Sequence, residues 1–218
     1  MVTRAAGRAA LLVLDPQAAF LTGCWAACFP PGDCELIASA FDNLAMRLSP
    51  GGDIPADTPI IRSMVDQFPT DADRALAEPV TSVARLADAP CVIKNSTNVL
   101  TDPRFTSWLT GPLVMGRAND AISTLVIGGC TTTSCVRVSA QAVKRAFPDL
   151  TTVVVDRSIC GARRQNHERA ASSTNPTLVR IHGAGVCDKA SAVGLAVRQM
   201  RAAGVLVVER FDFLPFEI

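Results

Sequence analysis

The chain predicts an α/β fold, a mostly parallel sheet with helices on both faces, and three observations carry that expectation. Short apolar runs of strand length alternate with segments whose apolar residues recur at helical spacing, the order that builds βα units. The strand-length runs are apolar throughout rather than alternating, as in strands covered on both faces. Several of them end on a polar residue able to do chemistry, at the edge where open parallel sheets bind ligands.

Residues 10–14 form the first such run, followed by a loop rich in Gly, Cys and Pro over 22–33. Leu36, Ala40, Phe41, Leu44 and Leu48 then recur at helical spacing, and Pro50, Gly51 and Gly52 end that helix. Residues 59–64 read as a second strand. The stretch 72–87 is helical in composition, with Pro79 breaking or restarting it. Residues 91–94 form a third strand ending on Lys94, and a polar loop, 95–104, leads to a short helix around 105–109. Residues 124–127 make the fourth strand and 134–147 the helix that carries Cys135. Residues 151–155 are the fifth strand, closed by Asp156 and Arg157. His167 opens a weaker helical stretch, and 178–181 is a sixth short strand. A helix at about 189–203 and a strand at 205–210 complete the chain. No internal repeat or low-complexity linker divides it, so residues 1–218 read as one domain, with 187–218 as a C-terminal helix–strand extension.

Composition excludes several classes. Nearly half of the residues, 49%, are hydrophobic, enough for a large core and unlike a disordered chain. The formal net charge of +1, with acids and bases intermixed, gives no basic footprint for nucleic acid. The apolar runs fall well short of the roughly 20 residues that cross a bilayer, so no membrane partner is expected. The run at 10–14 is also too short for the core of a signal peptide, and a cytoplasmic location is expected. The eight cysteines read as free thiols rather than a disulfide framework. Cys24, Cys28 and Cys34 have loose spacing and no partnering histidine, since His167 and His182 are the only two in the chain.

Three polar groups stand at strand ends. Asp15 follows the first strand, Lys94 ends the third, and Cys135 follows the fourth after a glycine-containing turn. Cys135 would supply a nucleophilic sulfur at the start of a helix, where backbone amides and the macrodipole favour thiolate. Asp15 would take its proton and return it to a leaving amine. Lys94 would hold both groups and favour thiolate by its charge. Backbone amides around Thr131 and Cys135 could receive the oxyanion of a tetrahedral intermediate. The plainer alternatives are a turn or cap residue for Asp15, an exposed strand-end charge for Lys94 and a small core residue for Cys135.

At these positions the chain resembles the isochorismatase-like cysteine hydrolases, over approximately residues 9–182. Residues 11–20, with Asp15, Gln17 and Phe20, are similar to the first strand and Asp-x-Gln-x-x-Phe motif of that family. Val92-Ile93-Lys94 resembles its lysine strand. Residues 129–137, Gly-Cys-Thr-Thr-Thr-Ser-Cys-Val-Arg, are similar to the N-carbamoylsarcosine amidase branch. Asp156, Arg157, Arg163 and His167 resemble the stretch after the fifth strand. The resemblance implies a three-layer, doubly wound, six-stranded sheet, a catalytic triad of Asp15, Lys94 and Cys135, a cis peptide at Cys130–Thr131 that aims the Thr131 amide at the oxyanion, and a homodimer or homotetramer. It implies an amidohydrolase that cleaves a C–N bond of a small amide or ureide through an acyl-cysteine, without a cofactor. The Asp-x-His metal motif of nicotinamidases has no counterpart after the second strand, so no metal is expected. Hydrolysis of a vinyl ether, ester or lactam, and a catalytically idle binding protein, remain as alternatives.

Phe20, Trp25 and the loop from Asn95 to Arg104 flank Asp15 and Lys94 in sequence and are expected to line a small-molecule pocket. Arg137 could bind a substrate carboxylate, or pair with an acid such as Asp156. Arg163 and His167 read as anchors of the loop after the fifth strand.

Overall fold

Strands β1 (Arg8–Leu14), β2 (Ile60–Met64), β3 (Cys91–Ile93), β4 (Ile122–Cys130), β5 (Thr152–Gly161) and β6 (Leu206–Val208) form one sheet in the order β3-β2-β1-β4-β5-β6. Every pairing is parallel. The computed structural model describes residues 8–213 except 24, 30, 31, 69, 81–83, 112–121, 149–151 and 162–191. Among the described residues, four helices longer than a single turn accompany the strands: α1 (Asp33–Leu48), α2 (Pro103–Leu109), α3 (Arg137–Ala146) and α4 (Ala192–Ala202). The expected strand at 178–181 and helical stretch from His167 lie outside the described residues.

Alternation along each central strand sorts side chains into two cores, one per face. Ala10, Leu12 and Leu14 of β1, with Leu125 and Ile127 of β4 and Val153 and Val155 of β5, pack under α2, α3 and α4. Leu11, Val13, Val126 and Val154 point the other way, against Ile37, Phe41, Leu44 and Leu48 of α1. Each such Leu, Val, Ile or Phe stabilises the fold by about 1.5–3 kcal/mol when fully buried. The result is three layers, helix on sheet on helix. The sequence puts Leu36 in the core stripe of α1, but Leu36 is exposed and Ile37 takes its place. With the helix starting at Asp33, the row 37, 41, 44, 48 faces the sheet and Leu36 falls about 100° off it.

The helix expected over 72–87 is reduced to one turn, Asp71–Arg74, and short 3-10 turns at Ala75–Ala77 and Ala84–Leu86. Stitching to the segment after β1 explains the loss. The buried Gln17 amide donates to the carbonyls of Val65 (2.8 Å) and Ala77 (3.0 Å), Ala18 N donates to Glu78 O, and Val80 N to Pro16 O. Pro79, which has no amide to offer a helix, makes an antiparallel bridge with Gln17 instead.

Strands β4 and β5 run longer than their apolar cores. β5 continues through Asp156 and Arg157 instead of closing there, with a register irregularity opposite Ile127–Gly129. Asp156 can sit inside the strand because Arg47 meets it. From the last turn of α1, Arg47 donates to Asp156 Oδ2 (2.6 Å), Ser158 Oγ (2.9 Å), Asp53 Oδ1 (2.8 Å) and the Phe211 carbonyl (2.6 Å). Phe211 N returns a bond to Asp156 Oδ2 at 2.9 Å. This buried network fastens the segment after β6 to β5 and α1.

The sequence order of strands reverses between β1 and β4, where crossovers depart to opposite sides. Here the two backbones come closest. Gly129 has φ 101°, and a Cβ there would collide with the Leu14 carbonyl and amide. Only glycine joins this conformation to this approach without strain. The carboxyl ends of β1 and β4, with Asp15 and Cys135 just beyond them, are therefore held side by side.

Candidate active site

Asp15 follows β1 in the left-handed region, with φ 49°, a conformation that Asp tolerates better than most residues. Its amide donates to Ser63 O (3.2 Å) on β2, and its carbonyl accepts from the Cys130 thiol at 3.1 Å. Lys94 follows β3 and reaches over the end of β2. Its Nζ lies 2.6 Å from Asp15 Oδ2 and 3.3 Å from Cys135 Sγ, and it donates to Ser96 O at 3.3 Å. The ammonium thus pairs with one carboxylate and donates to a sulfur and a carbonyl. Asp15 and Lys94 are wholly buried and Cys135 is 9% exposed. A carboxylate, an ammonium and a thiol converge from three separate strand ends.

Cys135 lies in a wide π turn, Thr132–Val136, that leads into α3; Val136 N bonds Thr131 O at 3.2 Å across it. The helix expected over 134–147 is therefore an α-helix only from Arg137. The peptide joining Cys130 to Thr131 is cis. Thr132 Oγ1 donates to the Gly161 carbonyl (2.9 Å), tying the turn to the end of β5.

Electrostatics differ from the expected thiolate. Burial, and then the Asp15 charge, push the Cys135 thiol up to about 12 against the opposing pull of Lys94. Burial also works against the Lys94 charge, yet Asp15 and Cys135 outweigh it and raise its pKa. The resting arrangement at neutral pH is a thiol beside an ion pair, with the Asp15 charge near enough to raise the thiol.

The remaining expected residues are more dispersed. Phe20 is buried, with its ring stacked on Trp25 at 6.2 Å and tilted against Phe29 at 6.1 Å. Asn95 is exposed. Arg104 is exposed too, and its guanidinium is clasped by Asp102, the cap of α2, whose carboxyl those hydrogen bonds hold down at about 2. Arg137 is buried and bonds back to Thr133 O at 3.1 Å. It does not pair with Asp156, the acid expected for it, because Arg47 occupies that carboxylate. Arg163, His167 and Cys24 lie outside the described residues; Cys34 is half-buried and free. Among the described residues no three His, Cys, Asp or Glu side chains gather as metal ligands would.

Ser63 was not singled out by the sequence. Wholly buried on β2, it donates to Asp15 Oδ1 at 2.8 Å. A serine inside a strand carries no motif, and its one signal is a small hydroxyl between Arg62 and Met64 near a strand's carboxyl end. Gln17 belongs to the first-strand motif, but its role as a clamp on 65–77 needed the fold.

No sequence-family model matches this chain, and no curated protein does. Solved structures do. An isochorismatase from Pseudomonas putida superposes with a TM-score of 0.59 at 15% identity, covering 95% of this chain and 90% of that one. An isochorismatase-like hydrolase from Alkaliphilus metalliredigens gives 0.55 at 12% identity, with 93% and 96% covered. The YcaC gene product of Escherichia coli, an octameric hydrolase of unknown specificity, gives 0.53 at 18% identity, with 94% and 77% covered. The fold is that of the isochorismatase-like hydrolases.

Proposed function

We propose that this protein is a cysteine-dependent hydrolase that cleaves a C–N bond of a small amide or ureide through an acyl-cysteine intermediate. One observation carries the reading: Lys94 Nζ stands 2.6 Å from Asp15 and 3.3 Å from Cys135, all three withdrawn from water. A buried ion pair built around a thiol is a costly arrangement for stability alone, since apolar residues of like size would pack as well.

As the Cys135 sulfur attacks the substrate carbonyl carbon, its proton passes to Asp15 and the carbonyl oxygen gains charge. The amides of Thr131 and Cys135 receive that charge; one such donor contributes about 3–4 kcal/mol in characterised enzymes. Collapse breaks the C–N bond, and Asp15 returns the proton to the departing nitrogen. Water then attacks the thioester carbon, Asp15 takes its proton, the C–S bond breaks and the thiol is restored. Lys94 holds the Asp15 carboxylate in place and steadies sulfur as it becomes anionic. The high proton affinity of the resting thiol fits transfer in concert with attack rather than a standing thiolate. The stacked rings of Phe20 and Trp25, which follow Asp15 in sequence, would supply an apolar wall of the substrate pocket. The likeness of residues 129–137 to the N-carbamoylsarcosine amidase branch supports amide or ureide over other bonds.

The test is ammonia release across a panel of small amides and ureides, with intact protein mass followed during turnover. The expected result is ammonia from at least one compound, an acyl mass on the Cys135 peptide, and neither in a folded Cys135→Ala variant. Undiminished ammonia release by that variant would overturn the assignment.

A further inference from the structure

We infer that Ser63 is a positioning residue for Asp15: it ties down one carboxylate oxygen so that the other serves the thiol. This rests on the base role of Asp15 proposed above.

The two oxygens of Asp15 have separate surroundings. Oδ1 accepts from Ser63 Oγ at 2.8 Å, and Oδ2 faces Lys94 Nζ at 2.6 Å. Ser63 Oγ in turn lies 3.3 Å from the Asp15 amide, so one hydroxyl braces both ends of the residue. Ser63 is wholly buried, and no solvent competes for that hydroxyl. β2 sits between β1 and β3 in the sheet, directly beneath the span from Asp15 to Lys94. The hydroxyl therefore enters from below, while Lys94 and Cys135 approach from the rim.

Without Ser63, Oδ1 would have no donor among the described residues. A buried carboxylate so deprived turns to recover a partner, and Lys94 is the nearest donor. Rotation about the Cα–Cβ and Cβ–Cγ bonds would then change how the carboxylate is presented to the sulfur. Ser63 never touches a substrate; its effect passes entirely through Asp15.

The probe is iodoacetamide at neutral pH, with alkylation of the Cys135 peptide followed by mass spectrometry. Sulfur forms a bond to carbon, iodide leaves, and Asp15 takes the thiol proton. Ser63→Ala should slow Cys135 labelling about tenfold or more, the scale of a lost hydrogen bond to a charged group. Ser63→Thr, which keeps the hydroxyl, should restore most of the rate. In an Asp15→Asn background Ser63→Ala should slow labelling no further, whereas a general packing defect would slow both backgrounds alike. Ser63→Ala labelling at the wild-type rate, or an equal loss in both backgrounds, overturns the inference and leaves the base role standing. Wild-type labelling by Asp15→Asn overturns the base role, and this inference with it. Urea unfolding of each variant verifies that the compared proteins are folded.

Discussion

Lys94 decides whether the Asp15 and Cys135 pair is stable in a dry site. Its ammonium pairs with a carboxylate and donates to a sulfur and a carbonyl, so Lys94→Ala would leave the Asp15 charge buried with only Ser63 as a side-chain partner. Cys135 makes the opposite demand, because it must stay neutral to remain buried. Its thiol titrates at about 12 in the folded protein against 9.0 for an unperturbed cysteine. This contribution to stability is complete below pH 9.0 and is lost as pH rises towards 12, because the unfolded chain releases the proton first. Cys130 and Cys160, pushed up by burial as well, act in the same direction. Urea midpoints should therefore fall steeply across that alkaline window, and Cys135→Ala should flatten part of the fall. Unchanged midpoints through the window would refute this. Asp15, Lys94 and Cys135 were visible in the sequence because each is a reactive side chain ending an apolar run. Ser63 was invisible because hydroxyls inside strands are common. The alternative offered for Arg137, a pair with an acid such as Asp156, does not form with Asp156, whose partner Arg47 lies 109 positions away on another helix.

Elements place these groups through backbone contact as much as through side chains. β1 and β4 meet at Leu14 and Gly129, and nothing larger than hydrogen fits at 129 in its positive-φ conformation. Gly129→Ala should destabilise the fold by more than about 3 kcal/mol, from the collision and the left-handed strain together. A urea midpoint equal to the wild type would show that β4 can shift aside at no cost. Strand runs and the helix at α1 were legible because apolar periodicity carries through to burial. The stretch 72–87 was not: its composition favours helix, but Gln17 captures the Ala77 carbonyl from 60 residues away, and such tertiary competition leaves no local trace. The wide turn at Thr132–Val136 was hidden for the same reason, since π and α turns share one apolar pattern.

Across the whole molecule, helices cover both faces of the sheet, and the chemistry sits where strand order reverses. Parallel order and layering could be expected from the sequence, but not the outer place of β6, because a three-residue strand is too short to declare its neighbours. Arg47 fixes that edge. Arg47→Ala would strip Asp156 of its cation and the Phe211 carbonyl of its donor, and should lower unfolding free energy by about 3–5 kcal/mol. Amides of β6 and of Phe211 should then exchange with solvent far faster than those of β1, as read by hydrogen exchange; uniform protection would disprove the clasp. On the ribosome, Arg47 emerges long before Asp156, and Asp156 before Phe211. A nascent chain can therefore bury β1 against β2 early, yet the Arg47 guanidinium must stay hydrated until Asp156 and Phe211 are made. Final locking of the sheet thus waits for the segment around Phe211, and truncation before residue 211 should yield a chain whose β6 edge never closes.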